Sequence, residues 1–405
     1  RGLIKETLAF DPQILKRYVN FMNNPDEDTA LEQFGKGDKY FGICLLMITM
    51  PGLPMFGHGQ IQGFSEKYGM EYKRAYYDEL PDRELIQRHE REIFPLLRER
   101  ELFSDVKNFV LFDFQLTGSQ INENVFAFSN RTEKKNALIV YHNQWAETEG
   151  RICKASSVHD RNLTLSRALG LNITPGSLIT YRDHITSLEY VIHAEDLVDR
   201  GLILDLKAYQ YHVFLDFSVI HNPEIAFLEV CDDLNGKGSP DLELELERKY
   251  FSSTLEAFLN TILAAAAHLA DRERAKNPER EVELLQKYRS LLREIEKLPE
   301  KHRQPKAFIQ QKGPDHVMDL LVALKKVNKS RASSDLPPIN NEHLLVLLLF
   351  SLLFPLRQML SSKSWTIFFD LVQPGLENMY QTPDVNRSIQ AYQTLEKIII
   401  EEDKL

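Results

Sequence analysis

Two short stretches hold the residues best suited to chemistry. "NNPDED", residues 23–28, sets three carboxylates behind two carboxamides, and "FGHGQ", residues 56–60, sets an imidazole and a carboxamide among glycines. Carboxylates serve as acid, base or nucleophile, or accept hydrogen bonds from ligand hydroxyls, and carboxamides bind hydroxyls as donor or acceptor. The first stretch also reads as a turn, with Asn24-Pro25 starting it and Asp28 capping the next helix. A turn and a site are compatible here, because each stretch directly follows a short apolar run. His89, His142 and His212 show no metal-ligand spacing, so only His58 is singled out, by its neighbours.

The elements that must position these residues alternate. "RYVNFM" has the β-branched and aromatic content of a strand. "GDKYFGICLLMITM" is apolar nearly all round, as suits a helix wedged between a sheet and other elements, and Pro51-Gly52 ends it. "LPMFG" is a second buried strand, and "RELIQRHEREIFPLLRERELF" an amphipathic helix with Leu85, Ile86, Ile93, Leu96 and Leu97 among its apolar positions. This strand–helix order over residues 1–105 is that of an α/β fold. Two such units cannot close a sheet, so the region is expected to be the end of a larger domain that begins before Arg1. The missing initial methionine fits that expectation.

Residues 106–220 change texture. "NVFAFSN", "NALIVYHN", "SLITYRD" and "YQYHVFLDFSVI" are short strands between polar turns, which predicts an antiparallel β-sandwich. Residues 221–405 are expected to form an α-helical domain, with "TLEAFLNTILAAAAHLA" and the charged "REVELLQKYRSLLREIEKL" as helices. The mixed-sign charges of residues 271–303 read as a solvated face with intrahelical ion pairs. The apolar run from Leu344 to Leu356 is too short for a bilayer and is broken by Ser351 and Pro355, so it is expected to be a buried helix.

Composition narrows the function. A formal charge of -10 disfavours binding along a phosphate backbone, and nothing in the sequence calls for a membrane. Cys44, Cys153 and Cys231 lie far apart with no paired spacing, which fits free thiols in a reducing compartment and places the chain in the cytoplasm. "GHGQIQG" misplaces the third glycine of a dinucleotide fingerprint, and the loop from Asp233 has Leu244 where a calcium loop needs its bidentate glutamate.

Taken together, the blocks resemble the α-amylase family of glycoside hydrolases and transglycosylases. That family carries "F-x-x-N-H-D" at the end of the seventh barrel strand, matched here by Phe21, Asn24, Pro25 and Asp26. A "T-x-P-G-x-P" turn follows, matched by Thr49, Pro51, Gly52 and Pro54, and then "Y-G-x-E/Q", matched by Phe56, Gly57, His58, Gly59 and Gln60. "EYKRAYYDE" is a looser match to "R-x-P-M-x-W-D", through Arg74 and Asp78. The resemblance covers about residues 1–220.

The resemblance implies the C-terminal part of a (β/α)8 TIM barrel, followed by the β-domain. It implies a retaining reaction on α-1,4-glucosidic bonds of an α-glucan or maltooligosaccharide, with nucleophile and acid/base on earlier strands, before Arg1. Asp26 would be the transition-state stabiliser, and Asn24, His58, Gln60 and Arg74 would bind substrate. The resemblance calls for no cofactor in these residues; a calcium ion would belong to the preceding part. One departure is Pro25, where most members have a histidine that bonds the sugar. Maltosyltransferases of the family carry a similar "N-x-P-D" block, so transfer stands beside hydrolysis. A non-catalytic carbohydrate-binding protein is the third alternative.

Overall fold

A first helix, α1 (Gly2–Phe10), and a 3-10 turn (Pro12–Arg17) lead into β1 (Val19–Phe21). These elements come from a computed structural model that describes residues 1–67, 74–158, 160, 162–270, 278–303 and 359–379. After β1 the chain forms α2 (Ala30–Phe34) and α3 (Asp38–Thr49) and returns as β2 (Leu53–Met55). The two strands pair in parallel, Val19 beside Leu53 and Phe21 beside Met55. A parallel pair needs such a crossover, and α3 supplies it. Tyr40, Phe41, Cys44, Leu45 and Ile48 are all fully buried, as its all-round apolar sequence requires.

Two local differences from the sequence reading have physical reasons. Thr29, not Asp28, caps α2: its Oγ1 accepts the N–H of Glu32 at 3.3 Å. The segment expected as one amphipathic helix is α4 (Arg83–Arg88), a π turn (His89–Ile93), α5 (Phe94–Leu97) and α6 (Arg100–Phe103). Pro95 lacks an N–H and its ring would clash with the carbonyl of Arg91, so the helix widens just before it.

Eight strands follow: β3 (Val110–Gln115), β4 (Val125–Arg131), β5 (Asn136–His142), β6 (Thr148–Ala155), β7 (Leu178–Asp183), β8 (Leu188–His193), β9 (Leu202–Leu206) and β10 (Tyr211–Ile220). Hydrogen bonds join them all into one antiparallel sheet in the order β8-β7-β10-β5-β4-β3-β6-β9, rather than into two separately bonded sheets of a sandwich. Strand alternation assigns the two faces. Leu111, Ile139, Tyr141, Tyr211 and Val213 pack with α1–α6. The intervening Phe112, Leu138, Val140 and Phe214 form a second core with residues of both outer halves of the sheet, such as Ile152, Ile179 and Leu202. The sheet therefore curls over its own interior. Two short helices, α7 (Leu165–Ala168) and α8 (Ala194–Asp199), help fill it, and α9 (Ile225–Leu234) follows β10.

Residues Arg1–Leu242 form one compact unit and Glu243–Leu405 a second. The second contains α10 (Leu242–Ala270, from its second residue), α11 (Pro278–Lys297) and α12 (Ser362–Met379). Its core joins Phe251, Phe258, Leu284, Tyr288, Ile295, Trp365 and Phe368. Along α11 the buried Leu284, Tyr288, Leu291 and Ile295 recur every three to four residues, leaving its charges outward. The apolar run from Leu344 to Leu356 lies outside the described residues. Among those described, no helix is long and apolar enough to cross a membrane.

Candidate functional site

Because β1 and β2 run in parallel, both polar stretches leave the same end of the pair. Behind β1, Asn24 folds its chain into an Asx turn: its Oδ1 accepts the N–H of Asp26 at 2.9 Å and its carbonyl accepts that of Glu27 at 3.2 Å. Lys67 Nζ donates to the Asp26 carbonyl at 2.8 Å. The backbone of Asp26 is thus held from both sides, while its side chain stands exposed.

Behind β2, Gln60 knits the second turn. Its Oε1 accepts the Gly57 N–H at 2.9 Å, its Nε2 reaches the Met22 sulfur at 3.1 Å, and its carbonyl accepts the Tyr40 hydroxyl at 3.1 Å. Gly57 leaves room for Asn23, since a Cβ there would lie 2.5 Å from Asn23 Oδ1. Tyr40 also meets His89 Nε2 at 3.1 Å, and His89 Nδ1 meets the Leu85 carbonyl at 2.9 Å. Burial pushes the His89 imidazole below its usual range.

Between the turns lies a cavity of about 170 Å³, lined by residues that include Asn23, Asn24, Pro25, Glu27, His58 and Lys67. Complete small-molecule sites usually enclose about 300–1,000 Å³, so this cavity alone is smaller than a whole one. Asn24 and His58 line it together. Asp26 sits on the turn beside it, Gln60 is only 5% exposed and faces the backbone below, and Arg74 is exposed beyond residues 68–73.

Asn23 was not singled out by sequence. It is 6% exposed, lines the cavity, and its Oδ1 has no hydrogen-bond partner among the described residues. A buried acceptor left open costs roughly 1–3 kcal/mol, which a bound hydroxyl would recover. The only sequence signal was its place beside Asn24 at a strand end. Glu66 also lines the cavity and is fixed by accepting the N–H groups of Tyr76 and Tyr77 at 2.7 and 3.0 Å. Behind it, burial raises the Glu79 carboxyl, but hydrogen bonds from Ser65 and Glu66 outweigh this and hold it below the usual carboxylate range.

A larger cavity, about 400 Å³, lies elsewhere in the same unit, bordered by His193, Asp196, Arg200 and Asp232. It holds the His193–Asp232 pair at 2.8 Å but none of the strand-end residues. Among the described residues no group of three His, Cys, Asp or Glu could hold a metal ion. Cys44, Cys153 and Cys231 are unpaired, and burial raises the Cys231 thiol to about 11.

The solved structures this chain resembles are α-amylase family members. They include an α-amylase from Geobacillus thermoleovorans complexed with acarbose, at 13% identity over 55% of this chain and 47% of that one, with a TM-score of 0.34. A cyclomaltodextrin glucanotransferase of three-domain ABC distribution matches at 14% identity over 54% and 40%, with a TM-score of 0.36. A maltogenic α-amylase from Thermotoga neapolitana matches at 12% identity over 53% and 45%, with a TM-score of 0.34. The chain spans less than half the length of each of these structures. No protein-family model and no curated protein matches it. At these TM-scores the likeness decides nothing alone, and function must be read from the strand-end residues.

Proposed function

We propose that this chain carries the carboxyl-terminal part of an α-glucan-active enzyme of the α-amylase family, a retaining hydrolase of α-1,4-glucosidic bonds. The observation that carries the reading is the parallel pair itself. Its two carboxyl ends set Asn24 and His58 around one cavity, with Asp26 on the adjoining turn, which is where barrel enzymes assemble their sites. The exposed side chains of Val19, Phe21, Leu53 and Met55 support a barrel. Strands of parallel sheets are covered on both faces, and two strands of three residues do not make a stable sheet alone. Further strands, before Arg1, would supply that cover along with the nucleophile and the acid/base.

In this reading Asp26 accepts hydrogen bonds from ring hydroxyls, and these strengthen as the sugar approaches an oxocarbenium-like geometry. Asn24 and Lys67 act by fixing its backbone. Such contacts supply several kcal/mol, so Asp26→Asn in the full-length protein should lower kcat about a thousandfold on maltooligosaccharides and leave the circular dichroism spectrum unchanged. Full activity in that variant would refute the assignment.

A second reading, transfer of maltosyl or longer units, is favoured by Pro25, which lines the cavity and whose ring nitrogen, a tertiary amide, offers a sugar neither a donor nor an acceptor. Incubation with a maltooligosaccharide and an acceptor separates the two: new chain lengths mean transfer, reducing ends alone mean hydrolysis. Absence of both reactions with glucan binding retained would make this a binding protein. The three unpaired cysteines favour a reducing compartment such as the cytoplasm.

A further inference from the structure

At one end of the curled sheet two turns lie side by side, 143–147 between β5 and β6 and 207–210 between β9 and β10. They are laced together: the Tyr209 N–H donates to the Gln144 carbonyl at 3.1 Å, and His142 Nδ1 meets the Lys207 carbonyl at 3.0 Å. Within the second turn Gln210 Oε1 accepts the Lys207 N–H at 2.8 Å. On this base stand two aromatic rings, Trp145 and Tyr209, with centroids 6.0 Å apart and planes inclined by 51°.

Both residues are placed against their ordinary preferences. Trp145 is 80% exposed, whereas a tryptophan usually buries most of its large apolar surface. Tyr209 has φ of +55°, a left-handed conformation that a bulky residue adopts only where its surroundings enforce it. An exposed indole beside a conformationally constrained phenol is a prepared stacking surface.

The rim identifies what stacks on it. The two turns contribute no other large apolar side chain; around the rings stand Asn143, Gln144, Glu147, Lys207 and Gln210. The two turns offer a protein partner no aliphatic side chain larger than alanine. A nucleobase would bring phosphates to a chain of formal charge -10 with a single lysine in the two turns. A hexopyranose fits both features, with an apolar C–H face for the rings and hydroxyls for carboxamides. Asn143 and Gln144 already use their Oδ1 and Oε1, accepting from the Tyr141 hydroxyl at 3.0 Å and from Asn124 Nδ2 at 2.8 Å. Their amide N–H groups remain to meet a hydroxyl. The inclined planes suit successive sugars of a chain that curves.

We propose that Trp145 and Tyr209 form a glycan-binding platform, sharing no residue with the strand-end cavity, that holds the pyranose rings of an α-glucan chain. The α-linkage rests on the function proposed above; the platform itself rests on the geometry of the two turns.

Within this sequence the only other tryptophan, Trp365, is 2% exposed, and the difference between wild type and Trp145→Ala isolates Trp145 from any tryptophan the full-length protein adds. Full-length protein should show a change in tryptophan emission, and protection from acrylamide quenching, on titration with maltoheptaose. It should also be retarded in native gels containing glycogen. Trp145→Ala should keep its circular dichroism spectrum, lose the emission change, and bind at least about tenfold more weakly in the gel. Asp26→Asn should lose activity while its Trp145 emission change on maltoheptaose persists. The platform is overturned if Trp145→Ala is retarded as strongly as the wild type, or if neither maltoheptaose nor cellohexaose alters Trp145 emission. A response to cellohexaose alone, lost in Trp145→Ala, would keep the platform and overturn the α-glucan reading.

Discussion

Gly42 is a tight joint between the helices that carry the strand-end site and the curled sheet. It lies in α3, and a Cβ there would sit 2.0 Å from Tyr141 Cε2 and 2.4 Å from Cδ2, against an ordinary carbon–carbon contact of about 3.5–4.0 Å. The ring cannot step aside. Tyr141 is fully buried in β5, stacks with Phe126 at 6.4 Å and donates its hydroxyl to Asn143. Gly42→Ala should therefore cost about 3 kcal/mol in overpacking, of which about 1 kcal/mol is returned by the better helix former. The net loss of about 2 kcal/mol corresponds to roughly 30-fold faster opening-limited amide exchange in peptides covering α3 and β5. Hydrogen exchange with mass spectrometry on the full-length protein measures this directly. In a Tyr141→Ala background the same substitution should cost nothing, because every ring carbon in the clash is gone. Wild-type exchange in Gly42→Ala would refute the docking of α3 on Tyr141, and an equal loss in both backgrounds would refute its cause.

Two further outcomes are expected. Burial lowers the imidazoles of His89 and His184 below their ordinary 6.5, so the unfolded chain takes up these protons first as pH falls. Their contribution is complete above about pH 6.5 and is lost as pH drops toward the folded values, with a slope of at most about 1.4 kcal/mol per pH unit for each. Thermal midpoints from pH 7.5 to 5, as about the useful range, should fall, and His89→Gln with His184→Gln should flatten the curve; a flat wild-type curve would contradict it. Asn23→Ala removes an acceptor that no described residue uses, so stability should change by less than about 1 kcal/mol, while kcat/KM on a maltooligosaccharide should fall about tenfold. Unchanged kcat/KM would mean that Asn23 meets no substrate.

What the sequence made legible followed from local chemistry. "RYVNFM" and "LPMFG" announced β1 and β2 through β-branched and apolar content, and Asn24-Pro25 announced the turn that Asn24 closes on Asp26. What it hid depended on distant contacts. Asp28 and Thr29 are both competent caps, and only the path of the chain into α2 chose Thr29. The β-branched and aromatic content of β4, β5, β7 and β10 announced the strands but not whether their edges join, which is why one curled sheet was expected as a sandwich of two. Asn23 has the same side chain as Asn24, yet one closes a turn and the other is left with an open acceptor. Gly57, 34 residues downstream of Asn23 in the sequence, is what makes room for it.

Gln60 shows how the buried core governs the site loop. Three contacts run from the loop into the helices: Gln60 carbonyl to Tyr40 hydroxyl, Tyr40 hydroxyl to His89 Nε2, and His89 Nδ1 to the Leu85 carbonyl. Neutral Tyr40 and His89 bring two protons to these three contacts, so one contact sets acceptor against acceptor. Protonated His89 would satisfy all three, but desolvation of a cation among Phe41, Phe56 and Phe94 outweighs that gain. The loop bearing His58 is thus supported by a joint that is one proton short at neutral pH. One of the two histidines that lower stability in acid is the one that holds up the second half of the candidate site, and loosening of the His58 turn should accompany the acid loss of stability rather than follow it.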